Sequence, residues 1–366
     1  MKSEILEVIA NTQDPFTNLA FGKKSIINLE IDNNIINFSI NLDYPISNPK
    51  RKKILTSSFR KLLSTIQNNY PEITDIIPNF ISKIHPHKVQ PNTKLLPSIK
   101  NIIAVASSKG GVGKSTTAVN LAIAMALEGA KVGIFDADIY GPSIPQMLGI
   151  ANSKPNIEAN QKIVPLTAHT IKAISIGFMI DTDTPMIWRG PLATRTLNQL
   201  INDTLWGELD YLFIDMPPGT GDIQITISQV VPLTGAVIVT TPQDIAILDA
   251  KKGFKMFEKV GVNILGIVEN MSMFVCPNCQ HQENIFSQGG ALKMADEYGV
   301  EVLGNLPLQS NIRKEVDSGN PTVSSNPNSK VAQLYRDIAF KIAIKLAQKS
   351  KNYDAKISEI VIESNK

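Results

Sequence analysis

From residue 99 onward the chain alternates short apolar runs with helical stretches. The runs lie near Ile102, Val132, Tyr211, Ala236, Ile264 and Val302 and are continuous rather than alternating, as in strands buried on both faces. Thr116 to Glu128, rich in Ala, Leu and Met, reads as a helix. The alternation predicts an α/β fold, a mainly parallel sheet covered by helices on both faces. Ser329 to Gln348 reads as a last helix, with Val331, Leu334, Ile338, Ile342 and Leu346 on one stripe. Lys341 and Lys345 beside that stripe raise a membrane-surface helix, but docking on the core is its commoner use.

Residues 1–84 are patterned differently. Glu4 to Ala10 suits a helix. Ile27, Leu29 and Ile31 alternate with Asn28 and Glu30, and Ile36, Phe38, Ile40 and Leu42 with Asn37, Ser39 and Asn41. Asp32-Asn33-Asn34 joins the two as a hairpin turn. Ile54 to Gln67 reads as an amphipathic helix, completing a small α+β domain. Residues 85–98 hold Pro86, Pro91 and Pro97 without periodicity and predict a mobile linker, where His85 and His87 make a poor metal site. The larger domain then covers 99–348, and 349–366 reads as a loose tail.

Between the first strand and helix of the larger domain stands Ser108-Lys109-Gly110-Gly111-Val112-Gly113-Lys114-Ser115-Thr116. Backbone N–H groups can surround a triphosphate only where no Cβ blocks them, which accounts for Gly110, Gly111 and Gly113. Lys114 supplies a charge for the β- and γ-phosphates, and the Ser115 hydroxyl is the expected Mg²⁺ ligand. The loop opens a helix whose dipole favours anions. Ser108 replaces the usual first glycine of G-x-x-x-x-G-K-[ST]. Two further runs end in acids, Lys131 to Asp136 followed by Asp138, and Tyr211 to Asp215 followed by Met216-Pro217-Pro218-Gly219-Thr220-Gly221-Asp222. Carboxylates at strand ends point into the ligand crevice of an open sheet. Asp215 would contact Mg²⁺ through water and Asp138 would position the attacking water, while Lys114 neutralises phosphate charge. No N-K-x-D guanine signature is present, so ATP is the expected nucleotide.

The only two cysteines stand together in Cys276-Pro277-Asn278-Cys279. Such a pair is a redox couple, half a metal site or an incidental structural pair. A redox motif should open a helix early in a small fold, and this one follows the strand Ile264–Val268 late in a large domain. Iron–sulfur and many zinc sites take four thiolates, twice what one chain offers. A twofold dimer that sets the pair against its own copy would complete the set. His281 is a conceivable extra ligand, though more simply an exposed loop histidine.

The loop with its additional Lys109 resembles the deviant Walker A family K-G-G-x-G-K-[ST], which includes Mrp, MinD, ParA and the nitrogenase iron protein. The resemblance implies that Lys109 reaches across a homodimer to the partner's nucleotide. It also implies that Asn270 and the backbone around Pro307 flank the adenine. Further blocks recur in order, Asp136 to Ser143, Trp188-Arg189-Gly190-Pro191, Asp215 to Asp222, Thr241-Pro242-Gln243-Asp244 and Gly266 to Ser272, followed directly by C-P-x-C. Over about residues 100 to 348 the chain is similar to the Mrp/ApbC branch, iron–sulfur cluster carrier ATPases. That implies ATP, Mg²⁺, a cluster of the [4Fe-4S] kind shared between Cys276 and Cys279 of two chains, and assembly factors and apoproteins as partners. A MinD/ParA-like recruitment switch with structural zinc is the rival. An electron-transfer ATPase fits less well, because such proteins space their cluster cysteines singly. Residues 1–84 resemble the small domain that precedes the ATPase in many bacterial Mrp proteins, with Asp14-Pro15 as its dipeptide. Having no cysteine, this region is left a docking role. The Trp188–Pro191 block suits a buried tryptophan anchoring a turn as well as nucleotide sensing by Arg189.

Composition adds bounds. At 366 residues there is room for two cores. The net charge of +3 is too small to argue for nucleic acid. Pro49-Lys50-Arg51-Lys52-Lys53, with no aromatic interleaved, reads as a solvated helix start. No apolar run approaches the ~18 residues of a membrane span. Neither a signal nor a transit peptide is evident, and unpaired thiols fit a reducing compartment, with the cytoplasm as the simplest location.

Overall fold

The computed structural model describes residues 1–91, 93–158, 160–179, 190–279 and 281–352. Its strands, in chain order, are β1 (Ile26–Asp32), β2 (Ile35–Leu42), β3 (Asp75–Ser82), β4 (Ile99–Ala106), β5 (Val132–Asp136), β6 (Leu166–Ala168), β7 (Ile171–Ser175), β8 (Leu209–Asp215), β9 (Gly235–Thr240), β10 (Ile264–Glu269), β11 (Phe274–Val275), β12 (Gln282–Glu283) and β13 (Val302–Asn305). Eight of them form one sheet in the order β13-β10-β9-β4-β8-β5-β7-β6. Every neighbouring pair in it is parallel except β6 with β7.

Side chains alternate across a strand, and β4 shows how the sheet is covered. Ile103 and Val105 join the core beneath the helices Lys114–Leu127 and Lys330–Ala347. Ile102, Ala104 and Ala106 join the opposite core, with Leu197 and Leu200 of the helix Gly190–Asp203 and Ile227 of the helix Asp222–Val230. Both faces are therefore dry, which is why these strands read as unbroken apolar runs. The last helix docks as a core helix. Ile338, Ile342 and Leu346 are buried, and Lys341 and Lys345 pair with Glu301 rather than facing a membrane. Leu334 stays partly exposed. Among the described residues no helix is long and apolar enough to cross a membrane.

β1, β2 and β3 form a separate three-stranded sheet. Asn33 and Asn34, both with positive φ, make the two-residue hairpin turn. Ile36, Phe38, Ile40 and Leu42 are all buried. In β1 the expected inward set shifts, because the register slips between Ile27 and Glu30 and Asn28 adopts φ +53°. This bulge buries Ile26 and Leu29 and leaves Ile27 and Ile31 half-exposed. β3, parallel to β2, has no periodic signature because Ile77 and Ile81 lie open. The helix expected from Ile54 starts earlier, at Pro49. Asn48 accepts the Lys50 N–H at 2.9 Å, and Pro49 takes the first helical position. It ends at Arg60, before a short turn of helix Leu63–Gln67.

The basic run is not wholly solvated. Arg51 is buried, with one guanidinium nitrogen 2.7 Å from Glu128 and another 2.8 Å from Asp337. Its guanidinium lies 3.9 Å over the Phe340 ring. Phe340 also meets Phe16 and Tyr44 edge-on. One continuous core thus runs from Ile5, Phe38 and Phe59 to Ala118, Tyr335 and Phe340. Among the described residues of 85–98 there is no helix or strand, yet the segment is fastened down. His87 is buried, 2.9 Å from the Asn101 side chain, and Gln90 donates to the Ser228 carbonyl at 2.8 Å. Asn352 donates to the Pro86 carbonyl. The rest of the expected tail, 353–366, lies outside the described residues, as do Trp188 and Arg189.

Candidate nucleotide and cysteine sites

The loop after β4 is bent by Gly111 and Gly113, at φ +81° and +82°, and Gly113 caps the helix that Lys114 begins. Positive φ suits glycine alone among common residues here. Gly113 is also crowded, since a Cβ on it would fall 2.2 Å from the Asn270 amide nitrogen. Gly110 has open space around it. Ser108, in place of the usual glycine, fits because it faces Gly253 of the helix Asp244–Lys259. A Cβ on Gly253 would stand 2.4 Å from the Ser108 hydroxyl.

Lys114 is buried and turned onto the strand-end acids. Its ammonium lies 2.6 Å from Asp215 Oδ1, 3.1 Å from the Ser115 hydroxyl and 4.0 Å from Asp138 Oδ2. Asp215 Oδ2 is buried without a hydrogen-bond partner, so this carboxylate keeps an unused acceptor while Lys114 links its other oxygen to the Ser115 hydroxyl. That open acceptor and the hydroxyl fit a hard cation with oxygen ligands, as Mg²⁺ requires. Asp138 is raised above the ordinary carboxylate range by burial, opposed by Lys114. Asp136 does not face the crevice in the same way. One of its oxygens accepts from Ser175 at 2.9 Å and from the Ile144 N–H at 3.2 Å, the other from the Asp138 N–H at 3.1 Å. Burial, then the neighbouring Asp215, pushes Asp136 up to about 8. It ties the loop that presents Asp138. Lys109 stands exposed at the loop's rim, its carbonyl accepting from Ser107. Val112 is buried, and Ser115 and Thr116 are half-buried at the helix start.

Asn270, at the end of β10, is brought to the loop, where its side-chain amide donates to the Val112 carbonyl at 2.8 Å. Pro307, just past β13, is buried and lines a cavity of about 590 Å³ together with Met273, Val275 and Gln282. β11 and β12 pair antiparallel above that cavity and carry the cysteines in their connecting turn. Cys276 is half-exposed and Cys279 exposed, both with free thiols. The Cys276 thiol is lowered by the backbone N–H groups of Cys279 and Asn278 and by the Cys279 side chain, so the turn favours a thiolate. His281 is exposed, and its carbonyl accepts the Cys276 N–H at 2.9 Å. Among the described residues no group of three or more His, Cys, Asp or Glu is placed to hold a metal ion. One chain therefore supplies two thiolates.

Two participants carried no sequence signal of their own, Ser175, which holds Asp136, and Gly253, which makes room for Ser108. Glu269, within the Gly266 to Ser272 block, is buried and accepts the Ala291 N–H at the start of the helix Gly290–Tyr298. Each acts through a partner distant in the chain. Of the Trp188–Pro191 block, Gly190 and Pro191 open the helix Gly190–Asp203.

Residues 98–343 match the family model described as the NUBPL iron-transfer P-loop NTPase. The chain is 58% identical over 255 residues to the iron-sulfur cluster carrier protein of Haemophilus influenzae, covering 70% of this chain and 69% of that one. It is 41% identical over 348 residues to the carrier protein of the same name from Synechocystis, covering 94% and 97%. Among solved structures it is similar to a nucleotide-binding protein of Archaeoglobus fulgidus in complex with ADP, with 38% identity, 61% and 87% of the chains covered and a TM-score of 0.53. The cell-division ATPase MinD of Pyrococcus furiosus shares the fold at 24% identity, 66% and 98% coverage and a TM-score of 0.51. By its fold, its phosphate loop and these relatives, the chain belongs to the NUBPL iron-transfer family of P-loop NTPases.

Proposed function

We propose that the chain is an ATP-hydrolysing carrier that holds an iron–sulfur cluster as cargo between Cys276 and Cys279 of two copies and passes it to apoproteins. The observation that carries this reading is the pairing, on one chain, of a full phosphate loop with a half-complete thiolate site. On nucleotide binding, Lys114 exchanges Asp215 for the β- and γ-phosphates. Ser115, with Asp215 acting through water, would then hold Mg²⁺, which would supply charge neutralisation at those phosphates. Asp138, with its raised proton affinity, orients the attacking water and accepts its proton. Lys109, exposed at the rim, is positioned to reach a partner's phosphates across the dimer. The cytoplasm, where thiols stay reduced, suits such cargo. Residues 1–84, joined through 85–98 to the ATPase domain at 99–348, are assigned a docking role.

Anaerobic reconstitution of wild type and Cys276→Ala tests the reading. The expected result is cluster absorbance and matching iron and sulfide in wild type, at the mass of a dimer, and their loss in the variant. Absence of any cysteine-dependent cluster, or zinc in protein purified without air, would sink it in favour of a recruitment switch.

A further inference from the structure

The stretch from Asn270, which touches the phosphate loop, to the cysteine turn is short and tied at nearly every step. Asn270 is held twice, by its own N–H to the Thr240 carbonyl and by its side-chain amide to Val112 of the loop, both at 2.8 Å. Ser272 donates to the Leu306 carbonyl from its N–H and from its hydroxyl, each at 3.0 Å. The Met273 carbonyl accepts the Leu308 N–H at 2.8 Å, and Phe274 bridges Leu308. Phe274 and Val275 then pair with Glu283 and Gln282. Cys276 follows, its N–H on the His281 carbonyl. The one residue of this stretch in an unfavourable conformation is Met271, at φ +55°, where a non-glycine residue carries strain.

We infer that residues 270–276 act as a strap that transmits the state of the phosphate loop to the cysteine turn, with Asn270 and Met271 as positioning residues. The geometry leaves little slack at the loop end. Asn270 is in such close contact with Gly113 that a single added carbon would overlap it. Phosphates entering the loop must displace Lys114 from Asp215, a 2.6 Å pair, and any movement of the Val112 carbonyl acts on the Asn270 amide. Beyond Asn270 the hydrogen bonds to Leu306 and Leu308 make the strap move with the end of β13 or not at all. The strained Met271 is the place where the strap can yield, since the next populated backbone region lies far from φ +55° and gives two discrete arrangements rather than a continuum. In this account nucleotide alters the spacing and exposure of the two thiols, and so the grip on whatever they hold. The purpose assigned to the strap rests on the proposed cargo role of Cys276 and Cys279, but its existence does not.

Hydrogen exchange on cluster-free, full-length protein, with and without saturating Mg²⁺ and a non-hydrolysable ATP analogue, tests it. Loop amides at 110–116 report occupancy, and amides at 272–283 report the turn. In wild type, exchange at 272–283 should change on the order of fivefold with nucleotide. Met271→Val, which cannot hold a left-handed conformation without larger strain, should cut that response below about twofold with the loop still responding. Met271→Asn, which tolerates the conformation, should restore it. Ser272→Ala, losing one tie to Leu306, should weaken the response without touching the loop. A wild-type turn unmoved while the loop is occupied would overturn the strap, as would a full response in both Met271→Val and Ser272→Ala. A responsive turn that takes up no cluster would sink the carrier reading and leave the strap standing. A turn that loads cluster but ignores nucleotide would do the reverse.

Discussion

Lys114 is held among carboxylates, 2.6 Å from Asp215 and 4.0 Å from Asp138, and the charge balance around it reaches as far as Asp136. Asp136 and Asp215 are both fully buried at the ends of adjacent strands, with Lys114 the cation between the sheet and the loop. In the fold Asp136 keeps its proton up to about pH 8, whereas in the unfolded chain it ionises near the usual 3.8. The folded chain thus holds more protons between those values, and this group's contribution to stability falls as pH rises through that window. The slope reaches at most about 1.4 kcal/mol per pH unit. Nucleotide-free Asp136→Asn should lose the slope. Urea unfolding of both proteins at pH 5 and pH 7.5 checks this, and equal slopes would contradict it. The same residue shows a limit of reading by sequence. A strand ending in an acid announces a ligand crevice, but Asp138 and Asp215 face it while Asp136 turns to Ser175 and Ile144. That division depends on β7, which brings Ser175 alongside and left no clear pattern in the chain.

At the scale of elements, the legible parts are those whose periodicity is local. Six apolar runs became strands of the large sheet, and the phosphate loop and last helix lie where their caps and glycines put them. What escaped notice depends on partners far along the chain. β3 is half-exposed, β1 carries a bulge, and Arg51 sits in a basic run whose neighbours are solvated. Glu128, at the C-terminal end of the helix Lys114–Leu127, is another case. An acid there opposes the helix dipole, and its burial is tolerated because Arg51 and Arg336 both reach it at 2.7 Å. Glu128→Ala takes the carboxylate from Arg336 and leaves buried Arg51 only the exposed Asp337. It should cost about 3–5 kcal/mol, read as a lowered urea midpoint. A loss below about 1 kcal/mol would mean water already screens the cluster.

At the scale of the whole molecule, the proposed reading makes the cysteine chemistry depend on a second copy of the chain. The phosphate loop is complete within one chain and the thiolate set is not. Lys109 is exposed beside a loop that Lys114 already serves, and the proposed reading gives it the partner's nucleotide to reach. Lys109→Ala should keep nucleotide affinity within about threefold, since Lys114 remains, but lose hydrolysis by about a hundredfold or more. Calorimetry and phosphate release check the two arms, and retained hydrolysis would break the link from loop to dimer. The N-terminal sheet shares one continuous core with the helix Lys330–Ala347, so it moves with the ATPase domain and does not swing on a tether. The cysteine turn, by contrast, is open to solvent. Its sulfurs stand three residues apart at the surface, one of them acidified by backbone amides. Thiolates so placed react readily with oxidants. In air an empty turn should close into a disulfide, two thiols giving up two electrons and two protons to oxygen. The capacity of a preparation for cargo then records its exposure to air rather than the quality of its fold, and a dithiol reductant should bring that capacity back.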